Sequence, residues 1–553
     1  MHRVLKLSAI SAVAASMMFT MLLGSAAGAA PGDTVPDLNI KPAPGDPPTV
    51  SQVSQATWQT NGIVWAMETV GNVVYVGGNF TKVRPPGAKA GQQEQARKNM
   101  AAFDAKTGAL LPFSHNFTAA TATAGRGERP DSSCTVNWTT RSYTCDTVYE
   151  IRKSPDGKTI YVGGDFTKVD DAAHSKLAAF NVADNSLNAT FKPAGTDRRV
   201  RSLAVSDSAV YAGGIFTKFG GQARNKLAAF NRTNGALLPW APKYSGNGPN
   251  GGVIAMTMSP DKSRVILAGE FSSINGRGIQ GLDAVNASDG TSVPWEWRGI
   301  RGEAFGTDVT TDADTVYATA ESRTTGGFEG RVALDPNTGR ARWVDTCKGA
   351  TWSVAVIGKV LYSGSHAHDC SDTRGGFDDI ADGRNPKWQH LLAQTTDGNS
   401  TRILKWFPNT NGGDPSLPED QTPARLGPRT MTAAGDNLWV GGQFTVVNGK
   451  PQQSMVRFAP QGGQAPPVQA APRNAQNPPA QDQNPDKSDA DGNLPPTFPG
   501  GPPPDGKPNP GVDNQRAPGG AGGAPQGDKP GTEIKPTAQS TTKPSIKPTK
   551  PVT

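Results

Sequence analysis

Short apolar stretches of four to seven residues, bounded by Gly, Asn, Asp or Pro, recur from about residue 58 to residue 460. Stretches of this length and punctuation read as strands, and none is long enough for an ordinary globular helix. One phrase organises them. It runs Val74-Tyr75-Val76-Gly77-Gly78-Asn79-Phe80-Thr81 and returns at Ile160–Thr167 and Val210–Thr217. It is looser at Ile266–Phe271, degenerate from Val316-Tyr317 and from Leu361-Tyr362, and clear again at Leu438–Thr445. The seven copies have a typical spacing of about 50 residues. An apolar stretch such as Arg201–Val205 precedes each copy, and two more follow, such as Lys226–Asn231 and Ala236–Trp240. Four short strands per repeat, repeated radially, predict an all-β fold: a seven-bladed β-propeller of four-stranded blades.

The Gly-Gly pair fits that expectation. Glycine inside a strand weakens it unless the backbone must kink or approach another surface closely. Neighbouring blades supply such a surface, and the Phe two positions later can fill the wedge. Six copies end in an aromatic on the fourth stretch: Phe113, Phe191, Trp240, Trp295, Trp343 and Trp406. The seventh ends at Phe458 without one, while Trp58 stands ahead of the first copy. Residues Val53 to Trp58 are therefore expected to pair into the last blade, closing the ring and removing two exposed edges.

The V/L-Y-V-G-G-x-F-T core, with its later A-x-F-N and T-G-x-x-x-P-W elements, resembles the secreted actinobacterial propellers of the delta-60-repeat family. The resemblance covers residues 58 to 460 and is strongest in copies one, two, three and seven. It implies a propeller fold and carries no catalytic assignment, so it leaves function open.

Loop lengths add a direction. Turns between first and second strands, such as Ser206-Asp207-Ser208, and between third and fourth, such as Lys106-Thr107-Gly108, are short. The long insertions, 84–98, 113–146, 242–251, 363–389 and 409–426, join second to third strands or one repeat to the next. Up-and-down topology sends both kinds of connection to one face, which is expected to hold the ligand.

The ends read differently. Arg3 and Lys6, an apolar run from Leu7 to Leu23 and the small residues Ala27-Gly28-Ala29 predict a signal peptide over 1–29. Residues 30–50 read as a disordered leader, 51–460 as the propeller, and 461–553 as a disordered Pro/Gly/Lys-rich tail. Lys535, Lys543, Lys547 and Lys550 leave that tail cationic at its end. No other stretch reaches the roughly 20 apolar residues of a membrane span. Net charge is +7, with acids and bases interspersed, which argues against nucleic acid as a partner. The expected protein is secreted or wall-associated and monomeric, with a cell-wall polymer, glycan or protein as ligand.

Four Cys occur, and export permits disulfides. Cys134 with Cys145, inside one insertion, and Cys347 with Cys370, on adjacent blades, are the expected pairs. The one polar constellation is His366-Ala367-His368-Asp369-Cys370, followed by Asp372, Asp378, Asp379 and Asp382, with His390 opening the next strand. His366 and His368 alternate on an extended chain, so both can point one way, and nearby carboxylates can complete a divalent-metal site. His366, His368, Asp369, Asp372 and His390 are thus the candidate ligand or metal residues. Asp308, Asp312 and Asp314 read as strand-turn punctuation. The pattern favours a non-catalytic binding module; the alternative is a secreted metal-dependent or carbohydrate-active enzyme using the loop 364–390.

Overall fold

The computed structural model describes residues 38, 40–124, 134–137, 139–246, 251–380, 387–396, 398–413 and 427–462. The expected signal peptide, the tail from residue 463 onward and Asp382 lie outside these residues. The chain divides into two compact units, Met1–Asn474 and Ala475–Thr553, and the described residues all belong to the first. Among them there is no helix, and none is therefore long and apolar enough to cross a membrane.

Seven antiparallel sheets carry the repeats. Their first strands are Val64–Val70, Val148–Lys153, Val200–Val205, Val253–Met258, Ala304–Thr311, Thr351–Ile357 and Pro428–Ala434. Each packs against the next, and Pro428–Ala434 packs back against Val64–Val70, so their order of contact is cyclic and the fold is propeller-like. In the first three sheets the second strand carries the Tyr-x-Gly-Gly phrase, with Trp439 in place of the Tyr in the seventh, and in every sheet it lies between the first and the third. In the seventh sheet the next position is taken by Val50–Gln55, antiparallel to Met455–Pro460 with Ser54 opposite Phe458. Trp58 lies beyond that strand, in the core with Met455 and Trp439.

Four full strands per sheet, as the sequence predicted, occur only in the fifth and seventh sheets. In the others the fourth stretch is reduced to one bridge: Phe103 to Leu110, Phe180 to Leu187, Phe230 to Leu237, Val285 to Ser292 and Gln394 to Ile403. Pro112, Pro239 and Pro294 explain three of these, because proline has no N–H to give to a ladder. The aromatic of the fourth stretch still anchors the sheet by packing on the Tyr of the second strand. Tyr161 meets Phe191 edge-on at 5.0 Å, and Tyr211 meets Trp240 at 5.1 Å.

The Gly-Gly pair works at two places at once. A Cβ on the first glycine would strike the Val that opens the next sheet: Gly163 would lie 2.7 Å from Val200 Cγ1, and Gly213 2.8 Å from Val253 Cγ1. Gly77 faces Val148 in the same way, and Gly441 of the seventh sheet faces Val64 of the first. The second glycine sits on a carbonyl of its own sheet, Gly164 on that of Thr147 and Gly214 on that of Arg199. In the fourth sheet Ala268 replaces the first glycine, and the facing residue of the fifth sheet is Gly306 instead of Val. The space is conserved while its owner changes.

Between the fifth and sixth sheets the wedge is polar. Arg331 and Asp345 are fully buried and paired at 3.1 Å. Arg331 also donates to Ser363 and Ser365, and Asp345 accepts from the Cys347 N–H, Thr373 and Gln394. Both expected disulfides are present, Cys134–Cys145 and Cys347–Cys370, and the second sits beside this network.

Residues 40–50 differ from the disordered leader the sequence predicted. Ile40 is buried with Cys347, Phe377 and Ile403, and Asp46 pairs with Arg402 at 2.6 Å. A Pro-rich segment can lie extended without a ladder, so one apolar anchor and one ion pair are enough to lay it on the sixth sheet.

Candidate functional site

The loop singled out by sequence does not gather its residues into one site. The ring of His366 stacks on Trp388 at 5.7 Å, while His368 Nδ1 lies 3.3 Å from Asp379 Oδ1. Asp369 pairs with Lys348 at 2.5 Å and accepts from Ser371. Burial would raise its carboxyl, but Lys348 and Ser371 outweigh that and hold it down at about 2. Asp372 and Asp378 are exposed. His390 is buried, its N–H donating to Asn409 Oδ1 at 2.8 Å and its Nδ1 3.2 Å from the same oxygen. Among the described residues no group of three or more His, Cys, Asp or Glu is placed to hold a metal ion. His366 and His368 alternate along the strand end, and Trp388 and Asp379 take the two rings separately.

A different set converges. Every first strand carries a β-bulge near its start, which skips one residue in the pairing with the second strand. The skipped residues are Trp65, Tyr149, Arg201, Ile254, Thr307, Trp352 and Arg429. A bulge re-aims its side chain, and all seven line one cavity of about 590 Å³ enclosed by the first strands. That is within the range of roughly 300–1,000 Å³ typical of small-ligand sites.

Most of these residues form a belt. The Arg429 guanidinium lies 5.2 Å from the ring centres of both Trp65 and Trp352. Trp65 reaches Tyr149 at 5.5 Å, and the Arg199 guanidinium covers Tyr149 at 4.5 Å. On the other side Trp352 meets Phe305 at 6.2 Å, and Arg323 covers Phe305 at 4.6 Å. Partners outside the belt fix its orientation: Arg199 pairs with Asp165, Arg323 with Glu270, Arg429 donates to Gln443, and Trp352 Nε1 donates to Glu321. Alternating rings and guanidinium groups attract through the ring quadrupole, more strongly where water is excluded. Burial, opposed by Glu321 and reinforced by Arg201, lowers Arg429 to about 10.

Farther along the same strands the cavity becomes ionic. Arg152 lies 3.2 Å from Glu150 and 3.7 Å from Glu68, and Lys153 lies 3.1 Å from Glu68. Asp308 accepts the N–H groups of Val309 and Val354, tying the fifth first strand to the sixth. Burial pushes Glu150 up to about 7 and Asp308 up to about 6. Asp308 is thus a cavity residue instead of turn punctuation; Asp312 and Asp314 do serve the turn, binding the Thr315 N–H and its hydroxyl.

The described residues of the long insertions do not line this cavity; the short turns Ser154-Pro155 and Ser259-Pro260 do. Sequence reasoning missed the belt because its members share no residue type. The signal was positional: six of the seven bulged residues are the second of their opening strand, and Thr307 is the fourth.

No family model matches the chain, and no curated protein matches it. Among solved structures it is similar to the computationally designed Ika8 protein, with 10% identity and a TM-score of 0.36 over 74% of this chain and 100% of that one. It is similar to a chain of the mitotic checkpoint complex, with 10% identity and a TM-score of 0.40 over 76% and 99%. It is also similar to Kuenenia stuttgartiensis hydrazine synthase, with 15% identity and a TM-score of 0.32 over 53% and 72%. Likeness at this level says nothing about activity.

Proposed function

We propose that this chain is an exported, non-catalytic binding module that takes its ligand into the cavity between the first strands. In this reading the seven sheets are the blades of a delta-60-repeat-like propeller, closed by the strand Val50–Gln55, and the ligand belongs to the cell wall. The observation that carries it is the convergence of all seven bulged residues on one cavity, on strands braced from both sides. Two disulfides agree with an oxidising compartment. The test is co-sedimentation of the purified chain with bacterial wall fractions. Wild type should pellet and Trp352→Ala should lose at least most of that binding. Equal pelleting of the two would place the binding surface elsewhere, and no pelleting of either would remove the wall as ligand.

A further inference from the structure

The segment ahead of the first sheet covers the disulfide beside the polar wedge. Cys347 and Cys370 are both fully buried, in an apolar cluster with Phe377 and Ile403. Among the described residues, only Ile40 and the partly buried Leu38 join that cluster from outside residues 347–407. Three points pin the segment 40–50. Ile40 enters the cluster, Arg402 grips Asp46 by two parallel bonds of 2.9 and 2.6 Å, and the Val50 N–H donates to the Tyr362 hydroxyl at 2.8 Å. Arg402 is itself tied to the cysteine loop: a Cβ on Gly375 would lie 3.2 Å from its Cγ, and the neighbouring Ile403 N–H donates to the Arg374 carbonyl at 2.9 Å. The turn 373–376 follows directly from Cys370, whose carbonyl accepts the Thr373 N–H at 2.9 Å. Between the pins stand Pro42, Pro44, Pro47 and Pro48, which have no N–H to give to a ladder. The segment can therefore lift at Ile40 and Asp46 without breaking a sheet, and segments tied so lightly open ahead of the whole fold.

We propose that residues 40–46 are a latch over the Cys347–Cys370 disulfide: seated, they keep dissolved thiols from both sulfurs, and lifted, they leave the bond open to reduction. The reductant is a dithiol. Its thiolate attacks one sulfur, forms a mixed disulfide and expels the other cysteine as a thiolate, which takes up a proton. Its second thiol then closes on the first and releases the remaining cysteine, so two electrons pass to the protein and the dithiol ends as a cyclic disulfide. Access to the sulfur sets the rate of the first step. The consequence reaches the polar wedge, because Asp345 accepts from the Cys347 N–H and from the Thr373 hydroxyl, one on each side of the bond. Cys134–Cys145 has no such cover: it closes a small hairpin, and Cys145 is only half-buried. The molecule thus carries its own reference for an unlatched disulfide.

The experiment exposes the purified full chain to dithiothreitol, quenches at intervals with iodoacetamide and follows each cysteine by peptide mass spectrometry. In wild type Cys134–Cys145 should open first, with Cys347–Cys370 slower by about tenfold or more. Ile40→Ser combined with Asp46→Ala should speed the second bond by about tenfold or more and leave the first unchanged. Asp46→Asn alone keeps the shape and removes the charge; it should give a smaller rise, and it carries the test if the double variant misfolds. Val200→Ala, which weakens the fold between the second and third sheets, separates lifting of the latch from global unfolding and should leave the Cys347–Cys370 rate at the wild-type value. An unchanged rate in the latch variants would overturn the proposal. So would a rise as large in Val200→Ala, since opening would then follow the whole fold. Reduction of Cys347–Cys370 in wild type as fast as that of Cys134–Cys145 would show that the segment shields nothing.

Discussion

The wedge between the second and third sheets and the wedge between the fifth and sixth do the same job by opposite means. The first closes by subtraction: Gly163 removes a side chain so that Val200 can enter, and apolar atoms touch without a polar partner to satisfy. The second closes by addition: Arg331 fills the space, and its charge is matched by Asp345 and two serines. The apolar wedge tolerates little change in volume. The polar one tolerates little change in charge, because a half-satisfied buried network is worse than none. The degenerate copies of the repeat are therefore a second solution to the same packing problem, and the disulfide Cys347–Cys370 lies where that solution is used.

The comparison can be broken most forcefully at the polar wedge. Arg331→Met should destabilise by about 3–5 kcal/mol, because Asp345 is left buried and charged. Arg331→Met with Asp345→Asn should recover part of that loss in chemical unfolding; no recovery would mean that volume, not charge, governs this wedge. Next, Cys347→Ser with Cys370→Ser, which opens a separation of 23 residues, should cost about 2–4 kcal/mol. A neutral outcome would separate the disulfide from the network.

At the apolar wedge, Gly163→Ala should cost about 1–3 kcal/mol by overpacking. Combined with Val200→Ala it should be less destabilising than the two changes summed. Strict additivity would show that the two side chains do not share the space. The smallest effect lies at Asp308. Its carboxyl is raised from 3.8 to about 6 in the fold, so its contribution is fully present below about pH 4 and is lost as pH rises through 6. Asp308→Asn should flatten the fall in melting temperature between pH 4 and pH 6 by about 1–2 °C. An unchanged slope would place that carboxyl in water.

Much of the fold is legible in the sequence because a repeat shows each element several times. The Tyr-x-Gly-Gly phrase announces a second strand, and Cys spacing within and between repeats marks both disulfides. The fourth strands are overstated because the aromatic that ends each stretch does its packing from a single bridge, as Phe113 does against Tyr75. The site was illegible for the opposite reason. Trp65, Arg201 and Arg429 are unlike one another, and only the cyclic order of the strands makes them neighbours. The His366–His390 region was conspicuous through composition, yet its side chains are engaged with Trp388, Asp379, Lys348 and Asn409.

The pairing of Val50 with Pro460 leaves the two ends of the repeat array side by side. Such an array has no privileged starting point: a short linker from 462 to 49 and a new break at the open turn of Gly358 would give a circular permutant with every sheet intact. In that permutant all strands of the seventh sheet would be contiguous in sequence, and the sixth would become the one assembled from both termini.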